Sequence, residues 1–92
     1  MKFRLARSKA GHDKDRLYVI VGEDGDFVSL ADGVRRTVGH PKRKKRKHIQ
    51  VIGNISPAVA EPLTRGGDPG DLEIKRALKL YQEEENVKSR CN

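Results

Sequence analysis

The chain has 92 residues, 36% of them charged and 35% apolar, and its 20 Lys and Arg outnumber 13 Asp and Glu for a net charge of +7. That length supports one small domain, which buries only about 60–65% of the surface its unfolded chain exposes, and the cationic excess favours a polyanionic partner, nucleic acid before an anionic membrane. No apolar stretch approaches the ~18 residues a membrane span needs, Met1–Arg7 is too charged for a signal peptide, and the single cysteine, Cys91, closes no internal disulfide, which fits a reducing, cytoplasmic setting.

Five short strands are expected in the first half. The first runs from about Phe3 to Ser8. The second, Leu17-Tyr18-Val19-Ile20-Val21, is rich in β-branched and aromatic residues and apolar on both faces. It therefore belongs in a small closed barrel or under a C-terminal cover. Gly22–Asp26 is turn chemistry, and Phe27–Ala31 follows as a strand. Asp32-Gly33 reads as a tight hairpin turn, since both central positions of a type I′ turn need positive φ. Val34–Val38 is then expected to return as a strand, with a further strand from Lys47 to Ile52 carrying Ile49 and Val51 on one face. Strands at this spacing suggest a small barrel or sandwich.

Residues 53–70 hold Pro57, Pro62, Pro69 and four glycines, and they read as an irregular connector. Asp68 is expected to cap a helix over residues 71–86 with Pro69 at its first position. Ile74, Ala77, Leu78 and Tyr81 recur at i, i+3, i+4 and i+7, one apolar helix face. Asp71 and Lys75 have the spacing of a favourable pair. Glu83-Glu84-Glu85 opposes the helix dipole, so fraying is expected there, with residues 87–92 a disordered tail. The expected division is thus a barrel over 1–52, a linker over 53–70, the helix and the tail.

The charge is unevenly placed. Residues 1–48 hold 14 basic residues against 6 acidic, and residues 49–92 hold 6 against 7. Six consecutive cations, Lys42-Arg43-Lys44-Lys45-Arg46-Lys47, form its centre, with Arg35-Arg36 upstream. Like charges in a row repel unless counter-charge arrives, and phosphates are one source. If Arg35 and Arg36 lie in a strand, only one of them faces the same surface as the run. The loop Ser8–Arg16 carries Lys9, Lys14 and Arg16 around Gly11, whose freedom at positive φ allows close backbone approach. Backbone N–H groups beside cations suit phosphate oxygens. Lys14 and Arg16 have a competing use in pairing with Asp13 and Asp15.

This loop, with the apolar strand after it, resembles a KOW motif. The resemblance continues through Phe27–Gly33, Arg35-Arg36 and Pro41–Gln50, so that residues 4–52 are similar to the small bacterial KOW-domain RNA-binding proteins. Those are relatives of a large-subunit ribosomal protein of archaea and eukaryotes. The resemblance implies a mainly β fold, a five-stranded SH3-like barrel, followed here by the connector and one C-terminal α-helix. It implies RNA as partner, ribosomal RNA or the ribosome first. Two positions depart from the pattern: His12 stands where relatives carry arginine and Asp15 where they carry glycine, although Asp tolerates left-handed geometry.

The expected RNA-binding set is Lys9, Gly11, Lys14, Arg16, Arg35, Arg36 and the run from Lys42 to Lys47. Phe3, Tyr18, Phe27 and Tyr81 are the only aromatics. They are expected mostly in the core, which favours recognition of structured RNA by shape and backbone over base stacking. His12, His40, His48 and Cys91 match no zinc spacing. No Ser-His-Asp arrangement, phosphate-binding Walker loop or paired-carboxylate site stands out, so neither an enzyme nor a cofactor is expected. A competing reading is a protein-interaction module of the transcription or translation machinery that uses the barrel or the helix face at Ile74, Ala77, Leu78 and Tyr81.

Overall fold

A computed structural model describes residues 4–90. Five strands, β1 (Arg4–Ser8), β2 (Leu17–Asp24), β3 (Phe27–Ala31), β4 (Lys42–Lys45) and β5 (Ile49–Ile52), form one antiparallel sheet in the order β4-β3-β2-β1-β5. The sheet is curled into a half-barrel. It is open, because β4 and β5 are its two edges, joined in sequence by a single 3-10 turn over Arg46–His48. A register shift between Ile20 and Gly22 bends β2 where the curl is needed. Two helices follow, α1 (Pro57–Thr64) and α2 (Asp71–Arg90). None of the described helices is long and apolar enough to cross a membrane.

Both faces of β2 are buried, as its apolar alternation requires. On the concave side Tyr18 and Ile20 pack with Ala6, Val28, Leu30 and Ile49. On the convex side Val19 packs with Leu5 and Ala31 against Val59 and Leu63 of α1 and Ile74 and Ala77 of α2. Burying a side chain of this kind contributes about 1.5–3 kcal/mol before entropy is counted. The Ile74, Ala77, Leu78 and Tyr81 face is therefore an inward face: Ile74 and Ala77 are fully buried, and Leu78 and Tyr81 pack against the same cluster. Ile74 and Ala77 themselves are covered by the sheet and α1.

Several expectations are corrected. Val34–Val38 is not a strand. The Asp32 carboxylate accepts the Val34 and Arg36 N–H groups, both at 2.9 Å, and curls the chain into a loop. Val34, 64% exposed, finds no apolar partner there. The strand pairing with β3 is instead the cationic segment Lys42–Lys45, in register Phe27↔Lys45 to Leu30↔Lys42.

The connector is not wholly irregular, since it contains α1. Ser56 caps that helix by accepting the Val59 N–H, and Pro57 sits in the first turn, where a missing N–H costs nothing. Pro62 lies inside the helix but is buried with Val59 and Leu63, so packing outweighs the lost hydrogen bond. α2 is capped at Gly70, whose N–H donates to the Glu73 carboxylate at 2.9 Å, rather than by Asp68. Asp71 accepts the Val38 N–H at 2.8 Å and makes no ion pair with Lys75.

α2 also continues to Arg90, past the expected fraying point at Glu83–Glu85. Two of those acids are anchored: Glu84 accepts the Ser56 hydroxyl at 2.6 Å, and Glu85 pairs with Arg7 at 2.7 Å. Residues 87–90 of the expected tail are thus helical, while residues 91–92 and Phe3 lie outside the described residues.

Candidate nucleic-acid interface

The pleat of β4 divides the basic run between two faces. Lys42 and Lys44 point to the concave side with Val28 and Leu30, while Arg43 and Lys45 point to the convex side with Phe27. Inward-facing lysines also protect a free sheet edge against pairing with another chain.

The counter-charge for the inward lysines is Asp13, contributed by the loop between β1 and β2. Asp13 is 6% exposed. Its Oδ1 lies 2.7 Å from Lys44 Nζ and 3.1 Å from Ser8 Oγ. Its Oδ2 lies 2.8 Å from Lys42 Nζ and accepts the Tyr18 hydroxyl at 3.0 Å. The Lys44 ammonium spends its three protons on Asp13, Ser8 Oγ and the Ala10 carbonyl, at 2.7, 2.7 and 2.8 Å. It has none left for a ligand. Burial alone would raise the Asp13 pKa, but hydrogen bonds from Lys42, Lys44, Tyr18 and Ser8 outweigh it and hold the carboxyl well below the usual carboxylate range. Burial, together with the bond to the Asp13 anion, pushes the Tyr18 hydroxyl up to about 12.

This knot fixes the Gly11 loop over the mouth of the half-barrel. Gly11 has φ +86°, and Asp15 adopts φ 72°, the left-handed geometry for which glycine is the usual residue. Asp15 offers its carbonyl, rather than its carboxylate, to Arg7 at 3.0 Å. Asp13 and Asp15 therefore do not pair with Lys14 or Arg16, both of which are exposed.

Beside the knot lies a cleft of about 190 Å³. The Gly11 loop and β2 line it with His12, Asp13, Arg16 and Tyr18, the loop after β3 adds Asp32, Arg35 and Arg36, and β4 adds Lys42. Arg35 and Arg36 both reach it because they stand in a loop rather than in a strand, a correction to the expectation that only one would. Arg16, Arg35 and Arg36 make no ion pair among the described residues. The loop carrying Arg35 and Arg36 is clamped to α2, for Gly33, at φ +82°, approaches so closely that an added Cβ would clash with the Asp71 carbonyl oxygen.

The rest of the expected set is dispersed. Lys9 is exposed, and its N–H holds the His48 carbonyl at 2.8 Å. Arg46 is structural: it donates to Gly25 O and to Glu23, each at 2.8 Å, and Glu23 also pairs with Arg4 at 2.8 Å. The Arg46 hydrogen bond, with Arg4 nearby, lowers the Glu23 pKa. Arg43 faces Asp24 at 3.6 Å on an open surface, where such pairs contribute little. Lys45 and Lys47 are exposed.

Asp13, His12 and Asp32 belong to this surface and are absent from the expected set. Asp13 had one indirect signal in the sequence, the need of a cationic run for a counter-anion. It lies 31 residues from Lys44 in the chain, so no local pattern links them. Compared with known proteins, the chain matches no family model and no curated sequence.

Proposed function

We propose that the protein is a non-enzymatic RNA-binding module that grips structured RNA through backbone phosphates. One observation carries this reading: Arg16, Arg35, Arg36 and Lys42, drawn from three separate segments, converge on one cleft. The three arginines there have no carboxylate partner among the described residues. Three guanidiniums held close together repel one another and are stabilised by an arriving anion, and their planar forks match phosphate oxygens. Lys9, Lys14 and Lys47 add exposed cations for neighbouring phosphates.

The strand order, with a 3-10 turn leading into β5, supports an SH3-like barrel, and φ 72° at Asp15 is compatible with the KOW loop that residues 8–16 resemble. On that resemblance ribosomal RNA in the cytoplasm is the first target to test. Docking of a partner protein on the helix face is disfavoured at its centre, because Ile74 and Ala77 are fully buried.

The test is binding to a structured ribosomal RNA fragment as salt is varied. Neutralising about six phosphates gives a slope of log K against log salt near −4 to −5. The double variant Arg35→Ala/Arg36→Ala should make that slope shallower by about 1.5–2 and weaken binding to all sequences alike. A wild-type slope near zero would reject phosphate-led binding, and equal affinity for a DNA duplex of the same sequence would remove RNA as the preferred partner.

A further inference from the structure

The convex side of β4 holds a second feature, separate from the arginine cleft. Phe27 opens β3 and is only half-buried, the one aromatic ring of the sheet that lies outside both core clusters. Its cross-strand partner is Lys45, and the Arg43 guanidinium stands over the ring at 4.3 Å from the centroid, with Lys45 Nζ at 6.0 Å. Next to the ring is a hollow of about 500 Å³ lined by Asp26, Phe27, Lys45, Arg46 and Lys47. That size lies within the range of ~300–1,000 Å³ usual for ligand pockets.

The walls of this hollow differ in how far they are committed. Arg46 is held by Gly25 and Glu23 and forms a fixed side. Lys45, Lys47 and the Asp26 carboxylate make no ion pair among the described residues. The hollow thus combines an aromatic ring, two unpaired ammonium groups and one free acceptor. An aromatic ring beside cations attracts the π-face of a base, and the ammonium groups suit the phosphates on either side of it.

We propose that this hollow takes one unpaired nucleotide, its base stacked on Phe27 and its flanking phosphates on Lys45 and Lys47. The proposal rests on the RNA reading above and extends it, because Phe27, beside Arg43 and Lys45, and the arginine cleft, beside Lys42, are reached from opposite faces of the edge strand β4. The RNA it fits is a duplex interrupted by an extruded base: paired backbone on the arginine side of β4 and the loose nucleotide on the other.

The experiment measures affinity for three RNA hairpins of one sequence, fully paired, with a single-nucleotide bulge, and with an abasic residue in the bulge. The bulged hairpin should bind about tenfold or more tightly than the other two, in line with the loss usual when one stacking ring is removed. Phe27→Leu should abolish that preference while leaving affinity for the paired hairpin unchanged. Phe27→Tyr, which keeps the ring, should retain it. Lys45→Ala/Lys47→Ala should lower bulged-hairpin affinity more than paired-hairpin affinity, a check that leaves the ring in place. Tight binding with no difference between base and abasic bulge would overturn the stacking site and leave the phosphate reading standing. Failure to bind any of the three would overturn both.

Discussion

Asp13 is the residue on which the site turns. One buried carboxylate serves two lysines, a tyrosine and a serine, so removing it strands the Lys44 ammonium, whose side chain is 11% exposed. Breaking a buried pair from one side costs about 3–5 kcal/mol, and Asp13→Ala is expected to lose stability on that order in chemical denaturation. The pH dependence follows from the same contacts. Because folding lowers the Asp13 pKa, its contribution is complete above the ordinary carboxylate value of about 3.9 and is lost as pH falls through the depressed folded value. Wild-type stability should therefore drop steeply below about pH 4, and Asp13→Asn should flatten that drop in acid titrations followed by circular dichroism. Gly33 is the second sensitive position. An alanine there meets both the positive φ and the Asp71 carbonyl oxygen. Gly33→Ala should cost more than about 1 kcal/mol, and it should weaken RNA binding as well, because Arg35 and Arg36 ride on the displaced loop.

Among the elements, α1 depends most on context. Its cap is Ser56, which also donates to Glu84 of α2, so Ser56→Ala should cost about 1 kcal/mol in thermal unfolding and loosen the seat of α2. β2, β3, β5 and the apolar face of α2 are legible in the sequence from the alternation or helical period that burial imposes, and β1 from its place before the first loop. α1 is not, since Ser56-Pro57 is a proper helix start but Pro62 and the glycines nearby look like punctuation. At Val34–Val38 valines suggest pairing but Asp32 captures the backbone. β4 was illegible for the opposite reason. Four cations in a row carry no apolar alternation, and the acid that makes their inward positions tolerable comes from another loop. In the site, Arg16, Arg35, Arg36 and Lys42 were legible from charge. That Lys44 and Arg46 are spent on the fold, and that Phe27 is outside the core, depended on tertiary placement.

For the whole molecule, sheet and helices share one core on the convex side. Leu5, Val19 and Ala31 are buried by Val59, Leu63, Ile74 and Ala77, so the first half cannot hide its own apolar surface. A fragment ending at residue 54 is expected to lack a cooperative thermal transition and to show poorly dispersed amide resonances, despite containing all five strands. The same arrangement ties the basic half to the near-neutral half, since the arginine loop is hydrogen-bonded to α2 through Val38 and Asp71. Pleating of β4 has a last effect on how this protein would be felt by a polyanion. Of six adjacent positive groups, Lys44 is withdrawn into an internal knot, Lys42 leans on the same acid and Arg46 is held by Glu23. The electrostatic valence offered to a long anion is accordingly smaller than the residue count, and it is directed to two sides of a single ribbon rather than spread along a line.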